Sequence, residues 1–384
     1  MTPLNSSRKI VILGPAHPLR GGIAAFNERL AKQFLDEGHT VTIYSFSLQY
    51  PDFLFPGTTQ YSSEPAPANL NIHTKINSIN PLNWIAVGNE IKKLKPDLVV
   101  VRYWLPLMGP ALATILRRIK KNKVSKIICI ADNVVPHEKR MGDHAFTKYF
   151  IKPVDAFITM SDKVLTDLRS FTQTKSAQLE PHPLYDHFGS IISKEEARNH
   201  LHINQTEFIF LFFGFIRKYK GVDLLLEAFA KLKRSQLQTK DYKLLIAGEF
   251  YEDRKSYDEL IEKLGIKDDL ILKTEFIADR EVKYYLCAAD AVVQPYRNAT
   301  QSGVTPLAYH FEVPMIVTNV GGLPANVPHG KSGLVCEPNV DSIAGAMQSF
   351  LQTGTEQYLP QLREEKQKYA WSKMTDAIFK LASK

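Results

Sequence analysis

The sequence predicts an α/β protein built from two Rossmann-like, doubly wound domains facing a central cleft. Three observations predict it. Short apolar runs of strand length alternate with longer stretches of helical period. The alternation comes in two series that restart around residues 181–207, where Pro181-His182-Pro183 and Gly189 interrupt the pattern. A chain of 384 residues is also too long for one typical domain, so two are expected.

Taken in order, the first series has strands at 10–13, 41–46, 98–101, 127–131 and 156–160, with a helix over 23–37. A long insertion at 47–70, rich in Pro, Ser, Tyr and Phe, has no clear period and reads as a binding loop or as disorder. The second series has strands at 208–213, 243–247, 270–273, 291–294, 315–318 and 333–336, with a helix over 222–233. This βαβα order predicts parallel sheets with right-handed crossovers. Ligands of such sheets sit beyond the carboxyl ends of the strands, which makes the cleft between domains the expected site. The predicted boundaries are 1–188 for the first domain, 189–360 for the second, and 361–384 for a helix returning toward the first domain.

Composition narrows the class. Hydrophobic residues make up 44% and charged residues 23%, as in an ordinary globular protein. No apolar run approaches a membrane span, and the amino terminus enters a strand with no signal-peptide pattern, so a cytoplasmic location is expected. Cys129, Cys287 and Cys336 are widely spaced in apolar contexts, which fits buried thiols better than a disulfide frame or metal site. The net charge of +8 is uneven: residues 1–190 hold 23 Lys+Arg against 15 Asp+Glu, leaving 25 against 25 for the rest. Arg117, Arg118, Lys120, Lys121, Lys123 and Lys126 carry much of the excess. They read either as a patch for an anionic membrane face or as a solvated helix end. No aromatic-interleaved basic groove points to nucleic acid.

Three loops carry candidate chemistry. In the first domain, Gly14-Pro15-Ala16-His17-Pro18-Leu19-Arg20-Gly21-Gly22 joins a strand to a helix and could bring backbone N–H groups to an anion. It is neither G-x-G-x-x-G nor a Walker loop, which disfavours a dehydrogenase and a P-loop enzyme. Arg20 reads as a phosphate partner or as a plain surface arginine. In the second domain, Gly214-Phe215-Ile216-Arg217-Lys218-Tyr219-Lys220-Gly221 puts three cations on a loop at a strand's carboxyl end, suited to a diphosphate. Further on, Ser302-Gly303-Val304-Thr305 opens a helix, with Ser302 read as N-cap and Gly303 as an open approach to the backbone.

These loops and their surroundings resemble retaining nucleotide-sugar glycosyltransferases of family four, which have the two-domain GT-B fold. The resemblance rests on RGGIAAFNERLAKQFLDEGHTVTIYSF, FFGFIRKYKGVDLLLEAF, LLIAGEFY, and the block from AADAVVQPYRN to GKSGLVCEPN. It implies transfer of a hexosyl group from a nucleotide-sugar donor to a glycan or lipid-linked acceptor, with retention, in cell-surface polysaccharide or glycolipid synthesis, with no metal and no cofactor. It places Lys220, Arg217, Gly21, Gly22, Ser302, Gly303 and Val304 at the donor diphosphate, although Arg217 stands two residues after the family arginine, where this chain has Phe215. Glu249, Ile277, Asn298, Thr300 and Gln301 are expected around the donor nucleoside and sugar.

Two departures stand out. The family's pair of glutamates falls on Ala299 and Leu307, so polar neighbours or Glu249 must substitute. The family histidine after the fourth principal strand falls near Asp132. Asp132 reads as a partner for a sugar hydroxyl or as a turn cap; His137 reads as an acid/base group or as a surface residue. Trp104 reads as an acceptor-stacking ring or as core. The lost carboxylates also motivate a rival class, a weakly active or inactive nucleotide-sugar-binding protein of the same fold.

Overall fold

A computed structural model describes residues 7–50, 60–62, 65–135, 142–235, 241–299 and 302–383. Its contacts divide the chain into two compact units. One holds the chain up to His182 together with Trp371 onward, and the other spans Pro183–Ala370.

The first unit contains a seven-stranded sheet of β1 (Lys9–Leu13), β2 (Thr40–Leu48), β3 (Ile72–Asn77), β4 (Leu98–Tyr103), β5 (Lys126–Ala131), β6 (Ala156–Thr159) and β7 (Ser176–Leu179), in the order β3-β2-β1-β4-β5-β6-β7. The second contains a six-stranded sheet of β8 (Phe208–Phe213), β9 (Tyr242–Ala247), β10 (Leu270–Lys273), β11 (Ala291–Gln294), β12 (Met315–Thr318) and β13 (Gly333–Cys336), in the order β10-β9-β8-β11-β12-β13. Every pairing is parallel. The same winding therefore occurs twice. In each unit it reverses between the first strand and its fourth-placed partner, at β1/β4 and at β8/β11, which is where such sheets open a crevice.

Central strands read as unbroken apolar runs because helices cover both faces. β4 (LVVVRY) is buried along its whole length, and β8 (FIFLFF) along nearly all of it. The helix Val222–Arg234 buries Val222, Leu225, Leu226, Phe229 and Leu232, the spacing of one helical face. Two strands escaped the sequence reading. β3 (IHTKIN) and β7 (SAQL) lie at the sheet edges, are mostly only part-buried, and lack the apolar run that marks a central strand. β2 also runs to Leu48, into the segment read as an insertion. Part of that insertion is tied down: Tyr61 bridges Leu19, Arg20 N–H donates to Gln60 O at 3.0 Å, and Ser62 N–H donates to Pro18 O at 2.8 Å.

The stretch 181–207 is not a bare connection. It contains the helix Lys194–Leu201, whose Arg198 is 2% exposed and donates to Asp290 Oδ2 at 2.7 Å, Gln205 O at 2.7 Å and Ala288 O at 3.1 Å. These bonds make it part of the second unit. At the other end, Leu359–Lys366 stays with the second unit, and the helix Trp371–Ala382 joins the first. There Trp371 meets Phe26 edge-on at 4.9 Å, Phe379 meets Phe34 at 5.5 Å, and Met374, Ile378 and Leu381 enter the core with Ile10, Ile12 and Ile128. All three cysteines are free and buried, as their apolar contexts suggested. Among the described residues no helix is long and apolar enough to cross a membrane, and no cluster of ligands could hold a metal ion.

Two of the six cations of the basic run in the first unit are occupied internally. Arg117 donates to Tyr149 O at 2.7 Å and lies 3.6 Å over that ring, and Lys120 pairs with Asp155 at 2.7 Å. Lys121, Lys123 and Lys126 remain exposed.

Candidate functional site

In the second unit a cavity of about 420 Å³ opens at the carboxyl ends of β8 and β11, the point where the strand order reverses. Two glycine turns build its back wall. Gly214, after β8, has φ +100°, and Gly248, after β9, has φ +137°. A Cβ on Gly248 would lie 2.4 Å from Gly214 O, so the two turns touch backbone to backbone. The basic loop is then latched to the next turn: Ile216 N–H donates to Glu249 O at 2.7 Å, Tyr251 N–H donates to Ile216 O at 3.0 Å, and Lys218 N–H bonds the Glu252 carboxylate.

Lys220 lines the cavity, its ammonium 3.3 Å from where a Cβ on Gly214 would stand. Burial, reinforced by the Arg217 charge, pushes its pKa down to about 8. Its proton is therefore held weakly, and an anion beside it would be bound strongly. Across the cavity lie Ser302, Gly303 and Val304. The helix starts at Val304 with Gly303 as its formal N-cap, one residue later than expected, yet Ser302 still performs the capping, its Oγ accepting from Val304 N–H at 3.2 Å. The helix that follows, Val304–His310, is short, so its dipole is modest and the loop amides matter more. A Cβ on Gly303 would meet nothing within 4 Å, which leaves that backbone face open.

Glu249 and Ile277, expected near the donor nucleoside and sugar, also line the cavity. The structure adds lining residues that the sequence reading did not single out. Phe276, Tyr219 and Phe215 form an aromatic rim, with Phe276 68% exposed. Asp279 brings a second carboxylate, and among the described residues no partner holds it or Glu249. Tyr296 forms part of the floor and is 2% exposed. Leu307 lines the wall and Ala299 is buried, so both family carboxylate positions are apolar in fact as well as in sequence.

Other expected residues stand apart from the cavity. Arg217 is exposed and lies 4.8 Å over the Tyr251 ring; it acts on Lys220 through its charge rather than by lining the pocket. Asn298 is exposed and does not line it. Thr300, Gln301 and His137 lie outside the described residues.

In the first unit, Gly21 (φ +112°) and Gly22 are exposed at the start of the helix Gly22–Asp36, with open space where each Cβ would be. Arg20 is exposed. Asp132, just after β5, is held by Arg102, whose Nε donates to Oδ2 at 2.9 Å and whose Nη2 bonds Oδ1. Arg102 is 2% exposed and its guanidinium stacks 3.9 Å over Phe26. Burial raises the Asp132 pKa, and the Arg102 charge opposes that rise. Trp104 is half-buried, its indole N–H donating to Tyr50 Oη at 2.6 Å and its ring meeting Phe46 edge-on at 5.9 Å, which is a packing role.

Comparison with known proteins agrees with this architecture. Residues 20–180 match the family described as Glycosyltransferase Family 4, and residues 193–370 match Glycosyl transferases group 1. The chain belongs to the family 4-type glycosyltransferases of GT-B fold. Among curated relatives, it is 24% identical over 344 residues to D-inositol 3-phosphate glycosyltransferase of Thermobifida fusca, covering 83% of this chain and 77% of that one. Among solved structures, Anabaena HepE in complex with UDP aligns with a TM-score of 0.66 at 15% identity, covering 98% of this chain and 99% of that one. Sucrose-phosphate synthase of Thermosynechococcus elongatus aligns with a TM-score of 0.61 at 17% identity, covering 97% and 98%. At these identities the two structures speak to fold alone.

Proposed function

We propose that this glycosyltransferase moves a hexosyl group from a nucleoside-diphosphate sugar to a glycan or lipid-linked acceptor, with retention at the anomeric carbon. The observation that carries the donor assignment is Lys220: a half-buried ammonium with its pKa lowered to about 8, facing open backbone amides in a crevice at the strand-order reversal. Negative charge grows on the departing diphosphate as the glycosidic bond breaks. A fixed cation and oriented N–H groups stabilise it most where water is excluded. Lys220 and the Ser302–Val304 loop supply those groups, with Arg217 adding long-range charge. The unpaired carboxylates of Glu249 and Asp279 are placed to accept hydrogen bonds from donor hydroxyls, the work that Ala299 and Leu307 cannot do. Asp132 is the acceptor-side carboxylate of this reading. No resident metal or other cofactor is invoked.

The first test is ligand binding. In a thermal-shift screen of uridine, guanosine and adenosine diphosphate sugars, one base class raises the unfolding temperature. Its affinity holds steady up to about pH 8 and falls above it as Lys220 loses its proton. The unliganded protein moves the other way. Between pH 8 and the ordinary lysine range the unfolded chain binds the extra proton, so this group's contribution to stability rises with pH. Affinity that does not change across pH 8 removes Lys220 from the site.

A second reading, a nucleotide-sugar-binding protein without transfer, is favoured by Leu307 and Ala299. Donor bound tightly with no sugar released under any acceptor would establish it. For location, we place the protein in the cytoplasm at an anionic membrane face, through Lys121, Lys123 and Lys126. Sedimentation with phosphatidylserine-containing vesicles exceeds that with neutral vesicles and is lost in high salt. Equal sedimentation with both removes the membrane.

A further inference from the structure

Lys220 and Ser302 come from loops 82 residues apart in sequence, yet both touch one side chain, Tyr296. Tyr296 follows β11 directly after Pro295, at the strand-order reversal. Its ring lies 5.7 Å from the Lys220 ammonium, within cation–π range. Its hydroxyl is 3.2 Å from Ser302 Oγ, the same oxygen that accepts the Val304 N–H. Burial pushes the phenol pKa up to about 12, so the hydroxyl keeps its proton at neutral pH.

The backbone around Tyr296 is fixed on both sides. Its carbonyl accepts from Thr318 Oγ1 at 2.6 Å, and the next residue, Arg297, donates its N–H to Tyr219 O at 2.7 Å. The Arg297 guanidinium grips Asp223 with bonds of 2.6 and 2.8 Å, and a Cβ on Gly221 would lie 2.1 Å from Pro295 O. The loop carrying Lys220 and the segment carrying Tyr296 are thus fixed to one another, and the Tyr296 hydroxyl extends that piece to Ser302, next to the Gln294–Thr305 side-chain bond that anchors the following helix.

We propose that Tyr296 is the positioning residue of the anion site: its ring seats the Lys220 ammonium and its hydroxyl fixes Ser302, so that lysine and loop amides meet a nucleoside diphosphate as one preset clamp. The proposal rests on the donor reading above. It deepens that reading by assigning the clamp's rigidity to a residue that does not itself carry charge. Preorganisation of this kind acts on the diphosphate and leaves recognition of the nucleoside untouched.

The experiment uses the full chain as wild type, Tyr296→Phe and Tyr296→Leu. Each is titrated calorimetrically with uridine, guanosine and adenosine diphosphates and with the matching monophosphates. Tyr296→Phe keeps the ring and loses only the hydroxyl, so the diphosphate that wild type binds is held about three- to tenfold more weakly. Tyr296→Leu loses the ring as well and falls by more than about tenfold. The matching monophosphate loses little in either variant, which narrows the ratio of diphosphate to monophosphate affinity. Should Tyr296→Leu fail to fold, the near-isosteric Tyr296→Phe decides alone. Equal losses for diphosphate and monophosphate, or no loss for the diphosphate, overturn the positioning role and leave the donor reading standing. Wild type that binds none of the diphosphates overturns both.

Discussion

Lys220→Ala lowers turnover of a nucleotide-sugar donor by about a hundredfold to a thousandfold, the scale of removing one preorganised stabiliser of developing negative charge. The loss falls on kcat more than on KM, because the charge it meets is larger in the transition state than in the bound donor. The fold survives. Lys220 is already penalised for its burial, which lowers its pKa to about 8, and among the described residues it makes no ion pair, so removing it relieves that cost and gives up only the cation–π contact with Tyr296. The thermal midpoint of the variant therefore stays within a few degrees of wild type. Lys220→Arg does not rescue. The planar guanidinium does not reproduce the compact point charge that the ammonium places beside Tyr296. Full activity in Lys220→Ala would mean that the leaving diphosphate is stabilised elsewhere.

Asp132→Ala destabilises the first unit by about 3 kcal/mol, the lower end for breaking a buried pair, because Asp132 is itself partly exposed. The cost comes from the partner. Arg102 is 2% exposed, and one of its terminal nitrogens, Nη1, already lacks a partner. Without Asp132 its charge faces only the Phe26 ring. The readout is favourable: the protein's three tryptophans, Trp84, Trp104 and Trp371, all lie in the first unit, so their fluorescence in urea follows that unit alone. Adding Arg102→Leu to Asp132→Ala recovers much of the loss, since the buried charge is gone. An unchanged urea midpoint in Asp132→Ala would show the pair to be a surface contact.

The central strands were legible because being covered on both faces demands long apolar runs such as FIFLFF and LVVVRY. The edge strands β3 and β7 were not, since an edge strand needs only one neighbour and few buried side chains. In the site, Lys220, Glu249, Ile277 and Ser302–Val304 could be named from motifs, and they do share one cavity. Arg217 could not be separated from Lys220 by sequence, because adjacent loop cations look alike until the backbone turns one inward and the other onto Tyr251. Tyr296 was hidden differently. Its importance comes from touching two loops distant in sequence, and no local pattern records that. Arg102 was passed over because an arginine ordinarily signals surface, and only the Asp132 carboxylate and Phe26 ring make its burial tolerable.

The central claim is that the cavity at the β8/β11 reversal carries glycosyl transfer from a nucleoside-diphosphate sugar. Its most direct test is release of nucleoside diphosphate from a panel of uridine, guanosine and adenosine diphosphate hexoses, with and without a lipid-extract acceptor, by wild type and Lys220→Ala side by side. The account predicts that wild type releases diphosphate from one donor class, faster with acceptor, and that Lys220→Ala releases it at least about a hundredfold more slowly. Donor bound by wild type with no diphosphate released, or release that Lys220→Ala matches, would contradict it.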